Sequence, residues 1–259
     1  MTREEQAALD GLNASAKQLP SGQYQIKVMW KPNEPNLPNN YSLALSRQHN
    51  LERSKHLATE QGQEDYNKVF RSWIQKGYLQ KVPEDEVEVE QAFYLPHFPV
   101  KREDKTTSKV RPVLDGAAKW KYKSLNDAIY VGPKVINDLD VVLTRFRRRQ
   151  IALGGDVSEM FLQILMYPED RQFHRIIFRE KATDPLVHYH FVVHPFGNRG
   201  SPCVAIYTIK KQAEIMQFEL PRASETVLES TLVDDNLDSV ASTEEAIQLI
   251  QDLKKIYTA

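Results

Sequence analysis

The chain has 259 residues, 41% hydrophobic and 27% charged, with a formal net charge of −1 at pH 7. That is the composition of an ordinary soluble globular protein, with length enough for one large domain or two intertwined lobes. The single cysteine, Cys203, excludes an internal disulfide and suits a reducing compartment. The N-terminus carries no signal-peptide pattern, and no apolar run approaches the length of a membrane span.

Alternation over Gly22–Trp30 predicts a strand, and the Pro- and Asn-rich stretch 31–40 a loop. Tyr66, Val69, Phe70, Trp73 and Ile74 fall on one helical face, with Gly77 as its stop. Residues 86–100 and 108–116 read as strands joined by a polar hairpin tip. Leu139, Val142, Leu143 and Phe146 mark a helix ending in the basic run Arg145–Arg149. Basic residues favour a helix C-terminus, and they also suit nucleic acid or a localisation signal. Residues 149–157 predict a strand, and 158–167 a short helix with Ser158 as N-cap. Residues 173–180 and 188–197 predict paired strands. Ser201 and Pro202 should open the next helix. Residues 226–233 and 236–242 predict a hairpin. Ser242 and Glu245 form a capping box for a closing helix with Ala246, Leu249, Ile250 and Leu253 on its face. Interleaved strands and helices predict a mixed α+β fold.

The near-neutral total hides an asymmetry. Residues 101–150 hold thirteen Lys and Arg against six Asp and Glu, a net of +7, which leaves −8 for the remainder. A basic segment of this kind can meet polyphosphate or nucleic acid, or be answered by acids elsewhere in the fold.

Asp234 and Asp235 stand together after an apolar run, followed by Asn236. Such residues make turns, and neighbouring carboxylates also suit a divalent cation. Asp156 ends another apolar run, and two neighbouring strands could bring it to the pair. Metal-dependent nucleotidyl transfer needs such a cluster, because two hard cations about 3.5–4 Å apart activate the attacking hydroxyl and stabilise the leaving oxygen.

The segments YLPHFPVKRED, SKVRPVLDGAAKW, SLNDAIYVGP, GGDVSEMFLQILMYPEDRQFHRIIFRE, FGNRGSP and LVDDNLDSV occur in this order. Together they resemble the reverse transcriptase domain of long-terminal-repeat retrotransposons, most closely the BEL/Pao group. LPNNYSLALSR also looks like the segment preceding that domain. The resemblance implies a right-hand polymerase fingers-palm fold, with an antiparallel palm sheet packed on helices. It divides the chain into a helix-rich N-terminal extension (1–85), fingers strands and helix (86–147), and a palm interleaved with fingers (148–259). Only 24 residues follow Asp235, which implies a piece without a thumb, weak in duplex binding and processivity.

The resemblance also assigns roles. Asp156, Asp234 and Asp235 would be catalytic and hold two Mg²⁺, with Mn²⁺ able to substitute. Arg111 would grip the incoming triphosphate through its planar fork. Lys101, Lys105 and Lys109 flank the tip, with Lys105 or Lys109 near the γ-phosphate. Phe161, five residues after Asp156, would lie under the sugar and exclude a 2′-hydroxyl. Gly197 would let backbone approach template or nucleotide. Leu232 and Val233 precede the aspartate pair at the primer end. The implied partners are an RNA or DNA template with its primer, dNTPs, and the rest of a pol polyprotein. The implied residence is cytoplasmic, with a nuclear phase through Arg145–Arg149 as a further reading.

Two positions depart from the pattern. Leu232 stands where an aromatic, usually Tyr, is common, and Phe196 where retroviral enzymes carry Gln. His188, His190 and His194 lack an evident fourth zinc ligand. Asp170, Asp238 and Glu159 read as surface or turn acids. Two rivals stay open: an inactive or domesticated remnant that binds nucleic acid, and a scaffold that keeps only the fold.

Overall fold

Tyr66, Phe70 and Trp73 form the buried stripe of a helix spanning Glu60–Gln75 in the computed structural model, which describes residues 1–101 and 110–259. Thr59 caps it, accepting the Gly62 N–H at 3.1 Å. Gly77 leaves it at φ +76°, a left-handed conformation that suits glycine after a helix. Phe70 stacks flat on Phe178, ring centroids 4.3 Å apart, and so fixes the helix to the strand Arg175–Phe178. That strand pairs with Val187–Phe191, which pairs with Leu79–Lys81, both antiparallel. All four residues of Arg175–Phe178 are buried, as a strand covered on both faces requires.

His97–Lys101 and Val110–Leu114 form an antiparallel pair. The expected hairpin tip lies outside the described residues. His97 ties this pair to the core, with its Nδ1 2.7 Å from the Tyr66 hydroxyl and its Nε2 2.9 Å from the Ile177 carbonyl. A third small sheet joins Lys17–Gln18 to Tyr24–Ile26, which runs parallel to Leu165–Met166.

The remaining sheet has the order Thr231–Leu232, Asp235–Val240, Ile151–Asp156, all antiparallel. Side chains alternate faces along a strand. Ile151, Leu153 and Val240 point inward onto a second core with Ala213, Leu220, Val227, Leu249 and Ile256. These come from the helices Ser201–Ile215 and Pro221–Glu229, from Leu220 just before the second, and from the closing helix Thr243–Thr258. Ala152, Gly154, Asp156 and Asp235 lie on the other face and are exposed.

Mixed α+β architecture is therefore observed, and several local expectations are corrected. Residues 86–100 are mostly irregular after a 3₁₀ turn at Glu84–Glu86, and strand begins only at His97. The Glu-Val alternation there has the period of a strand, but among the described residues no strand pairs with it. Residues 226–229 belong to a helix, Pro221–Glu229, rather than to the hairpin. Pro221 opens it, and burial of Ala223, Thr226 and Val227 on one helical face overrides β-branched propensity. Ser158 caps nothing; a 3₁₀ turn at Met160–Gln163 follows a left-handed Glu159. The N-cap of the 201–215 helix is Gly200, and Ser201 donates instead to the Pro195 carbonyl at 2.6 Å. Ser242 caps the last helix, but Glu245 accepts the Ala241 N–H rather than completing the box. Ile250 is exposed.

Candidate active site

Antiparallel pairing of Ile151–Asp156 with Asp235–Val240 sets Asp156 directly opposite Asp235. Opposed residues project from the same face, so these two carboxylates share the exposed side of the sheet. Leu232 is also paired with Asp235, which leaves Val233 and Asp234 as a two-residue turn. The Asp234 carbonyl accepts the Val157 N–H at 2.8 Å, tying the turn to the end of the Asp156 strand. Beneath it, Asn236 Oδ1 accepts from Thr231 Oγ1 at 2.9 Å and from the Tyr257 hydroxyl at 2.6 Å.

Val233 has φ +59°. A β-branched residue in the left-handed region is a true outlier, costing about 1–3 kcal/mol. Positive φ at the first position of a two-residue hairpin turn normally calls for glycine. The hydrogen-bonded frame of Asn236, Val157 and the strand register holds the strain at the tip that carries the aspartates.

The donor chemistry fits a hard divalent cation. Like charges opposed across a strand pair destabilise it, and a bound cation would reverse that sign. The three carboxylates are adjacent along the backbone without converging on one point. Among the described residues, no three His, Cys, Asp or Glu side chains are placed to hold a metal ion together. The same finding covers the histidines, two of which bond within the fold: His188 Nδ1 meets the Tyr94 hydroxyl at 2.9 Å, and His194 Nε2 meets the Ile26 carbonyl at 2.9 Å.

Arg111 is exposed on Val110–Leu114, opposite Val100, and among the described residues nothing joins it to the aspartates. Lys101 pairs through its backbone with Val110. Lys105 and Lys109 lie outside the described residues. Phe161 sits in the 3₁₀ turn, partly buried against the main core. A cavity of about 350 Å³ opens beside Asp156, with Tyr24, Met160, Gln163, Gln212 and Tyr257 in its wall.

Gly197 approaches the chain's own backbone. At φ +87°, a Cβ added there would lie 2.2 Å from the Leu114 carbonyl oxygen. Asn126 Nδ2 donates to the Gly197 carbonyl at 3.2 Å, and Asn126 Oδ1 accepts the Arg199 N–H at 2.9 Å. This glycine thus seats the 195–199 turn against the strand carrying Arg111. Gly197→Ala is expected to cost about 1–3 kcal/mol, from φ strain and the forced clash. Chemical denaturation checks it, and an unchanged midpoint would contradict the close packing.

Two acids expected at the surface are buried with internal partners, while Glu159 is exposed in a turn as expected. Asp170 is 4% exposed and accepts the Val28 N–H at 2.8 Å and the Trp30 Nε1–H at 2.7 Å. Asp238 is 1% exposed and accepts from Arg222 at 2.9 Å and Thr226 at 2.7 Å. Burial pushes the Asp238 carboxyl up, but bonds from Arg222, Thr226 and the Ser239 N–H outweigh it, and the net shift is downward. Strand parity gave a signal here, since Asp238 shares a face with Val240. Asp170 gave none, because its partners lie about 140 residues away. Glu159 is bonded to Lys76 and Tyr78. In the basic run, Arg145 is tied down by Glu225, Glu229 and Ser230, while Arg147, Arg148 and Arg149 are exposed.

No protein-family model and no curated protein matches this sequence. Among solved structures, the foamy viral protease-reverse transcriptase in complex with double-stranded DNA aligns with a TM-score of 0.56 at 18% identity. The alignment covers 74% of this chain and 28% of that one. The fold is reverse-transcriptase-like. The chain spans less than a third of the structure it matches, so that protein's activity does not transfer with the fold.

Proposed function

We propose that this chain is the fingers-and-palm part of an RNA-directed DNA polymerase, of the kind found in BEL/Pao-type retrotransposon polyproteins. The observation that carries the reading is the strand register placing Asp156 opposite Asp235, with Asp234 in the adjoining turn. Asp156, Asp234 and Asp235 would hold two Mg²⁺, or Mn²⁺ in its place. Those ions would supply Lewis acidity, lowering the pKa of a primer 3′-hydroxyl and stabilising the leaving oxygen.

The chain's own residues do the rest. Ala152 and Gly154 keep the exposed face beside the carboxylates low, leaving room for a primer end. A Cβ on Gly155 would meet nothing within 4 Å, and one on Gly154 only Leu237 at 3.9 Å, so the fold itself does not demand glycine there. Arg111 presents its planar fork to solvent, suited to the phosphates of a dNTP. Phe161 offers bulk near the sugar. Exposed Arg147, Arg148 and Arg149 offer charge for the template backbone. The structural relative was solved with double-stranded DNA, which supports a primed duplex as the partner.

A second reading is a nucleic-acid-binding module without catalysis, favoured by the open arrangement of the three carboxylates. One measurement separates the two: addition of one labelled dNTP to a primed RNA template with Mg²⁺, beside Asp234→Asn. The polymerase reading expects product from the parent and none from the variant. Equal product from both would remove Asp234 from the chemistry. A silent parent that still binds the primed template with a steep salt dependence supports the binding module.

A further inference from the structure

The segment between Asp156 and Phe161 is anchored from outside its own sheet. Glu159 adopts φ +52°, unfavourable for a residue with a Cβ. Both its carboxylate oxygens accept from Lys76 Nζ, at 2.7 and 2.8 Å, across 83 residues of sequence. The Tyr78 hydroxyl donates to the same carboxylate at 3.0 Å. That hydroxyl in turn accepts from Gln163 Nε2 at 3.1 Å. Glu159 and Gln163 bracket the 3₁₀ turn Met160–Gln163, so both ends of the turn holding Phe161 are tied to Tyr78. The turn itself starts with the Leu162 N–H donating to the Glu159 carbonyl at 2.8 Å.

The anchor side is firm. Lys76 ends the helix Glu60–Gln75, and Tyr78 is 9% exposed with its ring in the main core. Leu79–Lys81 comes next and is stitched into the sheet with Val187–Phe191. A side chain that holds an unfavourable backbone conformation fixes the direction of the residues after it, here Met160 and Phe161. Nothing in the sequence links residues 76–78 to 159–163; the tertiary fold alone makes the circuit.

We propose that Glu159 is a positioning residue: latched by Lys76 and Tyr78, it fixes the Phe161 turn and so sets how strictly the site rejects a ribose 2′-hydroxyl. The proposal rests on the polymerase reading for its function, while the latch itself is a property of the fold. Glu159 touches no reacting atom and acts through Phe161.

The test uses the full chain and the variants Glu159→Gln, Lys76→Met and their combination. Hydrogen exchange at the Met160 and Leu162 amides reads the latch directly. The ratio of dNTP to rNTP addition on a primed template reads the consequence. Glu159→Gln keeps size and hydrogen-bonding shape but loses the charge, so the fold is retained. Protection at both amides should fall about two- to fivefold, the range expected for a partly exposed bidentate pair. The dNTP preference should fall by a similar factor, with the rate of dNTP addition at saturation little changed. The double variant should be no worse than either single one, because both break one latch.

Unchanged exchange overturns the latch. Faster exchange with an unchanged nucleotide ratio overturns the selectivity role. A purely structural contribution would lower stability and leave the ratio alone. If the parent adds no nucleotide at all, the polymerase reading falls and takes the selectivity role with it, while hydrogen exchange still decides the latch.

Discussion

Asp235→Asn is expected to abolish nucleotide addition while making the metal-free protein more stable. Asp235 sits opposite Asp156 on the exposed sheet face, where like charges across a strand pair destabilise by about 0.2–1 kcal/mol. Neutralising one of them removes that repulsion and changes almost no shape. The same change removes a hard oxygen ligand from the proposed metal site, whose loss should lower the rate roughly a thousandfold or more if metal chemistry contributes several kcal/mol. Stability and activity thus move in opposite directions, which a damaged fold cannot mimic. Thermal melts with and without Mg²⁺ complete the test. Mg²⁺ should raise the melting temperature of the parent and not that of the variant, because a ligand stabilises only the state that binds it. A variant that melts lower than the parent without metal would contradict the opposed-charge account. Equal Mg²⁺ shifts in both would remove Asp235 from the site.

Acidification is expected to unfold the chain near about pH 5, through its buried histidines. Burial pushes His97 and His194 down to about 4 and His174 to about 3. His190 is pushed to about 4 by burial and then by the Arg171 and Arg175 charges. The rings are neutral, and the single N–H of His97, His174 and His194 is already committed. A carbonyl only accepts, so His97 donates from Nε2 to Ile177, His174 from Nδ1 to Asp170, and His194 from Nε2 to Ile26. His174 Nε2 then accepts from Asn198 at 3.1 Å, and a second ring proton would face that donor.

The sign comes from linkage. Each folded pKa lies below the unfolded value of about 6.5, so the unfolded chain binds protons first. The stability each ring contributes is complete above about pH 6.5 and is lost as pH falls through that value toward the folded pKa of about 4. Each of His97 and His194 is worth on the order of 3 kcal/mol over its window. Three such rings reach the size of a typical total stability, about 5–15 kcal/mol, before pH 4. Tryptophan fluorescence against pH should therefore show a steep, multi-proton transition near about pH 5. His97→Gln should make that transition less steep by about one proton. A fold that persists unchanged at pH 4 would falsify the neutral, buried state of these rings.

Much of the fold could be read along the chain. The helix at residues 60–75 was legible because five apolar residues share a 3.6-residue period, and burial of one face is a local property of that period. The paired strands at 175–178 and 187–191 were legible for the same kind of reason. Residues 226–229 were not, because Thr226 and Val227 favour strand locally and only packing against the second core makes them helical. Asp156, Asp234 and Asp235 could be named from motif order, since residue type and spacing are carried by sequence. Their register could not, because which strands pair is settled by long-range burial.

By itself, then, the sequence determined the α+β class, the helices with clear periodicity and the carboxylates that could do chemistry. The tertiary structure decided that Asp156 faces Asp235, that Val233 bears the strain of the turn, and that Gly197 abuts Leu114. It also decided that Asp170 and Asp238 are buried and that Glu159 is held from residues 76 and 78. The physical division is one of range: period, capping and residue chemistry act within a few residues, whereas charge partners and backbone contacts form between segments the chain brings together only on folding.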